Sequence, residues 1–299
     1  MDLEYDLYPV SDNPDSELLM HRNAHFGGKF DIMLDYYSQD GIGVQPDISL
    51  DRIEELFRIE NEMGEDLAET LLSDTEMAKV EAARQSYEKL REVYEINKPK
   101  TPIPKLIANL IFTEDEFPEE EIEAICEHGE RAIPLLHDLI TSDEFYDPLF
   151  PGYGFAPIHA AACLARIGCD KSIHILFERI GSGGFLNEES VIDALTAFGE
   201  PAQKFLNEIL QSRPIRPDTE NAIIALLEFE ERASTAKIAL ELLQDPAIKG
   251  HDSLMNYLVF ACDQLEDESD QRAFKELKQL SHIPQELYQD IDLIAEAWL

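Results

Sequence analysis

Residues 155–168 read Phe155-Ala-Pro-Ile-His-Ala-Ala-Ala-Cys-Leu-Ala-Arg-Ile-Gly168, and a second apolar-periodic segment follows from Cys169 to Ile180. The pattern then repeats. Asn187-Glu-Glu-Ser-Val-Ile-Asp-Ala-Leu-Thr-Ala-Phe-Gly199 is followed at once by Glu200-Pro-Ala-Gln-Lys-Phe-Leu-Asn-Glu-Ile-Leu210. In each half an apolar helix stops at glycine, the residue that enters the left-handed C-terminal position most easily. An amphipathic helix begins almost immediately after it. Two such hairpins back to back predict an all-α fold, and neither contains a catalytic signature.

The same grammar extends outward. Gly129-Glu-Arg-Ala-Ile-Pro-Leu-Leu-His-Asp-Leu-Ile140 aligns with Gly199–Leu210: Gly-Glu opens each and alanine holds the fourth place. Apolar pairs fall at places seven and eight, then at eleven and twelve. The alternation continues over residues 217–244 (Ile223, Ile224, Leu226 and Leu227, then Ile238, Leu240, Leu242 and Leu243) and over 252–280, with a closing helix from Gln285 to Leu299. Gly129, Gly168 and Gly199 lie 39 and 31 residues apart. A helical pattern recurring at such a period predicts stacked repeats.

The two Gly-Glu segments resemble the inter-helix turn and second helix of HEAT-like repeats, in the short bacterial form associated with phycobilisome lyases. The resemblance covers about residues 105–280. It implies a right-handed α-solenoid of HEAT-like helix pairs, and it implies little about chemistry, because such repeats mostly build binding surfaces. The unit between Gly129 and Gly168 is longer than the repeat it resembles, and the excess lies in Thr141–Tyr153.

Before this array the chain reads as a helical module over residues 1–97. A lead-in arm ends at Ser11-Asp-Asn-Pro14, and helices are expected over 15–24 and 29–39. A breaker, Asp40-Gly-Ile-Gly43, and a turn at Gln45-Pro46-Asp47 follow. Ser49 is expected to cap a helix through Met63, with Gly64 closing it. A short helix over 66–72 follows. Ser73-Asp-Thr-Glu76 then has the spacing of a capping box at the head of a helix reaching Ile96, whose stripe is Val80, Ala83, Tyr87, Leu90 and Tyr94. Asn97-Lys-Pro-Lys-Thr-Pro-Ile-Pro104 cannot continue a helix. Residues 98–104 are therefore expected to connect the module to a solenoid over 105–299.

The net charge of −38 is spread along the chain. Phosphate backbones and anionic membranes are poor partners for it, because affinity for either comes largely from Lys and Arg. A basic protein or peptide is compatible. The four cysteines form no Cys-x-x-Cys pair and read as reduced thiols in helical contexts. The acidic start, Met1-Asp-Leu-Glu-Tyr-Asp-Leu-Tyr, does not resemble a signal peptide, and no apolar run is long enough to span a bilayer. Cytoplasmic residence is the expectation.

Five aromatics, Phe145, Tyr146, Phe150, Tyr153 and Phe155, crowd into the Pro/Gly-rich extension. Aromatics on a loop are common interface anchors, and the other reading is a loop tucked over the end of the core that satisfies its own apolar residues. Together with Glu119, Glu120 and Glu121 of the acidic run 114–123 they are the candidate partner-binding residues. His21 and His25, four apart, share a helix face, as do His159 and Cys163. Arg22 stands where a zincin motif needs its Glu, and no third ligand is apparent, so His21 and His25 are weak metal candidates and no cofactor is expected. None of the eight histidines is followed by Glu, unlike the metal-binding pairs of HEAT-like di-iron hydroxylases. Gly27-Gly-Lys29 and Gly181-Ser-Gly-Gly184 lack the context of a phosphate loop. The expected function is a non-catalytic acidic scaffold or adaptor. The alternative is a lyase-like enzyme or enzyme accessory handling a prosthetic group or metal, with His21, His25 and His159 as participants.

Overall fold

The computed structural model describes residues 14–39, 48–95, 101–115, 117–181 and 185–298. The expected lead-in arm, the breaker at 40–43 and the turn at 45–47 lie outside the described residues, as do the start of the proline-rich connector and residues 182–184. Among the described residues the fold is all-α, without strands. No described helix is long and apolar enough to cross a membrane. The chain divides into two compact units, residues 1–163 and 164–299.

The first unit holds α1 (Pro14–His25), α2 (Phe30–Ser38), α3 (Leu50–Met63), α4 (Leu67–Leu71), α5 (Asp74–Glu95), α6 (Ile103–Phe112), α7 (Glu119–Cys126) and α8 (Ile133–Thr141). The division falls within α9 (Ala156–Ile167). Within the first unit α6 packs against α5.

Capping follows the sequence with one exception. Ser73 and Glu76 form the reciprocal box, with Ser73 N donating to Glu76 Oε2 at 2.7 Å and Glu76 N to Ser73 Oγ at 3.3 Å. Gly64 closes α3 in the left-handed conformation, φ 71°. Ser49 does occupy the N-cap of α3, yet its side chain makes no capping bond.

Between α1, α3 and α4 sits Arg22, fully buried and larger than most core residues around it. Its guanidinium donates to Glu60 Oε2 and Asp66 Oδ1, each at 2.6 Å, and to Asn23 Oδ1 at 3.0 Å. It also lies 4.3 Å from the centre of the Phe30 ring. The same carboxylate oxygens accept the Leu67 and Ala68 N–H groups, so the cation and the start of α4 share two acceptors. A buried charge is tolerated only when it is paired and hydrogen-bonded in this way.

The second unit continues with α10 (Lys171–Phe177), α11 (Phe185–Ala197), α12 (Glu200–Gln211), α13 (Pro217–Leu227), α14 (Ala233–Gln244), α15 (Asp252–Ala261), α16 (Glu268–Glu276) and α17 (Tyr288–Ala297). Helices here touch their second neighbours as well as their first: α11 meets α13, α12 meets α14, α13 meets α15, α14 meets α16 and α15 meets α17. Alanines 202, 222, 225, 236 and 239 are completely buried, and their small side chains let helix axes approach closely. Arg232 ties successive hairpins. It donates to the carbonyls of Leu227 (2.9 Å) and Phe229 (3.0 Å) at the end of α13, and to Asp263 at 2.8 Å. Arg232→Ala is expected to lower the stability of this unit by ~2 kcal/mol, since it leaves helix-terminal carbonyls without their donor. Urea melts of the two forms would measure it.

Candidate functional site

The densest grouping of chemistry-bearing side chains lies in the first unit, where α1 ends. His21 and His25 are one turn apart, and their ring centres are 4.6 Å apart. Phe26 and two left-handed glycines, Gly27 (φ 62°) and Gly28 (φ 76°), then turn the chain into α2. That turn brings back Tyr37, whose hydroxyl is 2.8 Å from His21 Nε2. Tyr87 arrives from α5, with its hydroxyl 2.6 Å from His25 Nδ1. Tyr153 comes from the extension and stacks on His25 at 4.4 Å.

The hydrogen-bond partners define the protonation pattern. His25 Nε2 faces the Pro148 carbonyl at 3.1 Å, which can only accept, so Nε2 carries the proton of the neutral ring. Nδ1 then accepts from the Tyr87 hydroxyl. A directed chain results, from the Tyr87 hydroxyl through the neutral His25 ring to the Pro148 carbonyl. His21 is 3 % exposed, and its Nδ1 is buried without a hydrogen-bond partner.

Burial pushes both imidazoles toward neutrality. It lowers His25 to about 4, against smaller opposing effects of the Pro148 carbonyl and Asp147. It lowers His21 well below the ordinary histidine range, with the neighbouring His25 acting in the same direction. Burial likewise raises the phenols of Tyr87 and Tyr153. A histidine with a depressed folded pKa contributes stability that is present above pH ~6.5 and lost as pH falls through its folded value. The first unit is therefore expected to lose stability between pH ~6.5 and ~4, by ~3 kcal/mol from His25 alone. Urea midpoints measured across that range would check the sign and the window.

The extension is built into the unit. Tyr146 and Phe150 are each 6 % exposed; Phe145, Tyr153 and Phe155 are partly buried. Tyr146 donates to the Ile140 carbonyl at 2.8 Å, and Asp147 pairs with Lys79 of α5 at 2.6 Å. Leu149 and Phe150 pack against Ala24, Val80 and Ala83. Gly152 and Gly154 have φ of 92° and 86°, and Tyr153 between them has φ 53°, the sole non-glycine positive value among the described residues. A Cβ at Gly152 would stand 3.0 Å from the Ile111 carbonyl oxygen, and one at Gly154 would stand 3.1 Å from that of Tyr146. The five aromatics are thus buried or partly buried against the unit, as in the tucked-loop reading of the extension. Their apolar area is worth more inside than in water.

The other candidates fall elsewhere. His159 is buried on α9, with its ring stacked at 6.1 Å on Phe155, and the Cys163 carbonyl lies 3.7 Å from Cys126 Sγ. Among the described residues no three His, Cys, Asp or Glu side chains converge so as to hold a metal ion. Glu119 and Glu120 are exposed and Glu121 half-exposed at the head of α7. Beside them stands a residue that pattern reading passed over: Phe117 is 81 % exposed. Its signal was an aromatic inside an acidic run. Tyr87 was legible as part of a helical stripe, whereas its bond to His25 spans 62 residues and leaves no local trace.

Neither family models nor curated proteins nor solved structures yield a match to this chain.

Proposed function

We propose that this chain is a non-catalytic adaptor built of HEAT-like helix pairs, which offers an acidic face to a basic protein or peptide. The second-neighbour packing in the second unit supports the repeat reading, because stacked helix pairs bury their faces against equivalent helices of adjacent pairs. The observation that carries the binding reading is Phe117, a large aromatic 81 % exposed among Glu114, Asp115, Glu119 and Glu120. Carboxylates attract and orient a cationic partner, and an aromatic that becomes buried on contact supplies the short-range energy. The lyase-like alternative draws no support from the cluster, where His21 and His25 direct nitrogens to Tyr37, Tyr87 and the Pro148 carbonyl.

A labelled amphipathic Lys/Leu peptide, titrated by fluorescence anisotropy at several salt concentrations, tests this. Phe117→Ala is expected to weaken binding about tenfold at every salt concentration while leaving the melting temperature unchanged. Replacing Glu119, Glu120 and Glu121 together by Gln should flatten the salt dependence. Unaltered binding by the Phe117 variant would show that the peptide is held by diffuse charge alone, and the anchor assignment would be wrong.

A further inference from the structure

We propose that the His21–His25 pair is a pH-responsive latch, which holds segment 143–155 on the first unit when both rings are neutral and releases it when they take up protons. Geometry makes the pair a poor place for charge. The ring centres are 4.6 Å apart, and His21 is almost wholly buried with Nδ1 unpartnered. A proton there would have no acceptor, and two protonated rings at that distance would repel each other.

The groups facing the pair offer little compensation. From α2 come Tyr36 and Tyr37 and from α5 comes Tyr87, all neutral. Also from α5, Lys79 and Arg84 are cations, Arg84 donating to the Asn23 carbonyl at 2.9 Å. From the extension come Tyr153 and Asp147. Asp147 favours a charged His25, but its carboxylate is already shared with Lys79 and with the Leu149 N–H. Glu114 acts through Tyr36, whose hydroxyl donates to it at 3.0 Å. On α1 itself, Arg22 points the other way, to Glu60 and Asp66.

The latch bears on the extension specifically because two of its contacts are made by His25: the bond to the Pro148 carbonyl and the stack with Tyr153. Tyr153 is in addition held in left-handed backbone, a conformation that persists only where surrounding contacts enforce it. Protonation at Nδ1 removes the acceptor of the Tyr87 hydroxyl and so breaks that bond beside the stacked Tyr153 ring. Opening lets the rings be solvated, and it exposes Tyr146, Leu149 and Phe150 as apolar surface.

For a histidine that titrates at 6.5 when open and about 4 when closed, lowering pH from 7.5 to 5.0 favours opening about 30-fold. Hydrogen exchange of the full chain at these two pH values, corrected for intrinsic exchange rates, reads this directly. Peptides from 143–155 are expected to lose about 30-fold or more in protection. Peptides from α12, in the second unit, should keep theirs, and at pH 5.0 those from α3 should stay better protected than the extension. His25→Gln, which retains a donor and an acceptor but no titration, should remove most of the response. Equal protection of the extension at both pH values would overturn the proposal. So would an extension that stays as well protected as α3 at pH 5.0, which would mean exchange by global unfolding without local release, or a wild-type response in His25→Gln. Should that variant fail to fold, NMR titration of the wild-type imidazole carbon-bound protons decides. The midpoint of His25 must coincide with that of loop opening, and separate midpoints would sink the latch.

Discussion

Arg22→Ala is expected to destabilise the first unit by ~3–5 kcal/mol, the cost of breaking a buried ion-pair network by removing one member. The side chain is 0 % exposed, whereas Glu60 and Asp66 are 22 % and 45 % exposed. Deletion therefore leaves a cavity under Phe30 and two carboxylates without their common cation. The damage extends to α4, because the oxygens that Arg22 holds in place also accept the Leu67 and Ala68 N–H groups. Arg22→Lys should recover little, since one ammonium cannot replace a fork that reaches two carboxylates and lies on a ring. Arg22→Met, which restores volume without charge, should fall between them. Burial opposes ionisation of Asp66, yet the bonds from Arg22 and the Ala68 N–H together hold its carboxyl below the ordinary value. Its share of stability is thus lost as pH falls through that lowered value and is fully present above the unfolded one. Urea unfolding followed by circular dichroism is the measurement. A loss under ~1 kcal/mol for the alanine variant would mean that the network behaves like an ordinary surface pair.

Tyr146→Ala is expected to cost ~3–5 kcal/mol, in the range of large aromatic deletions from a core. The residue is 6 % exposed and its hydroxyl satisfies the Ile140 carbonyl. The backbone of Tyr146 also lies against Gly154, where a Cβ would stand 3.1 Å from its carbonyl oxygen, so the ring and the turn are packed as one piece. Tyr146→Phe keeps the ring and removes one hydrogen bond, which should cost ~1 kcal/mol. The ratio between the two variants separates packing from hydrogen bonding. A near-neutral Tyr146→Ala would mean that the extension stands off the unit.

Much of the local structure was legible from sequence because its causes are local. The Ser73-x-x-Glu76 box and the stop at Gly64 depend on residues within one turn of each other, and the 3.6-residue spacing of Val80 and Ala83 marks a buried face without reference to what covers it. The fate of Phe145–Phe155 was not legible. A Pro/Gly loop rich in aromatics reads the same whether it faces solvent or folds onto α1 and α5. What decides is a set of partners remote in sequence: Lys79 for Asp147, His25 for the Pro148 carbonyl, and Ala24, Val80 and Ala83 for Leu149 and Phe150.

Arg22 shows the same limit from the other side. In the sequence it was the residue that spoiled a metal motif between two histidines. In the fold it is the cation at the centre of α1, α3 and α4, and the histidines flanking it turn to a different face and meet three tyrosines. By itself the sequence determined the helices, most of their ends, the all-α class and the strongly acidic charge, since periodicity, capping and composition need no knowledge of tertiary neighbours. Only the tertiary structure decided that the aromatic extension is internal and that His21 and His25 are buried beside one another. Each of those outcomes depends on which surfaces meet, and desolvation acts only once they have met.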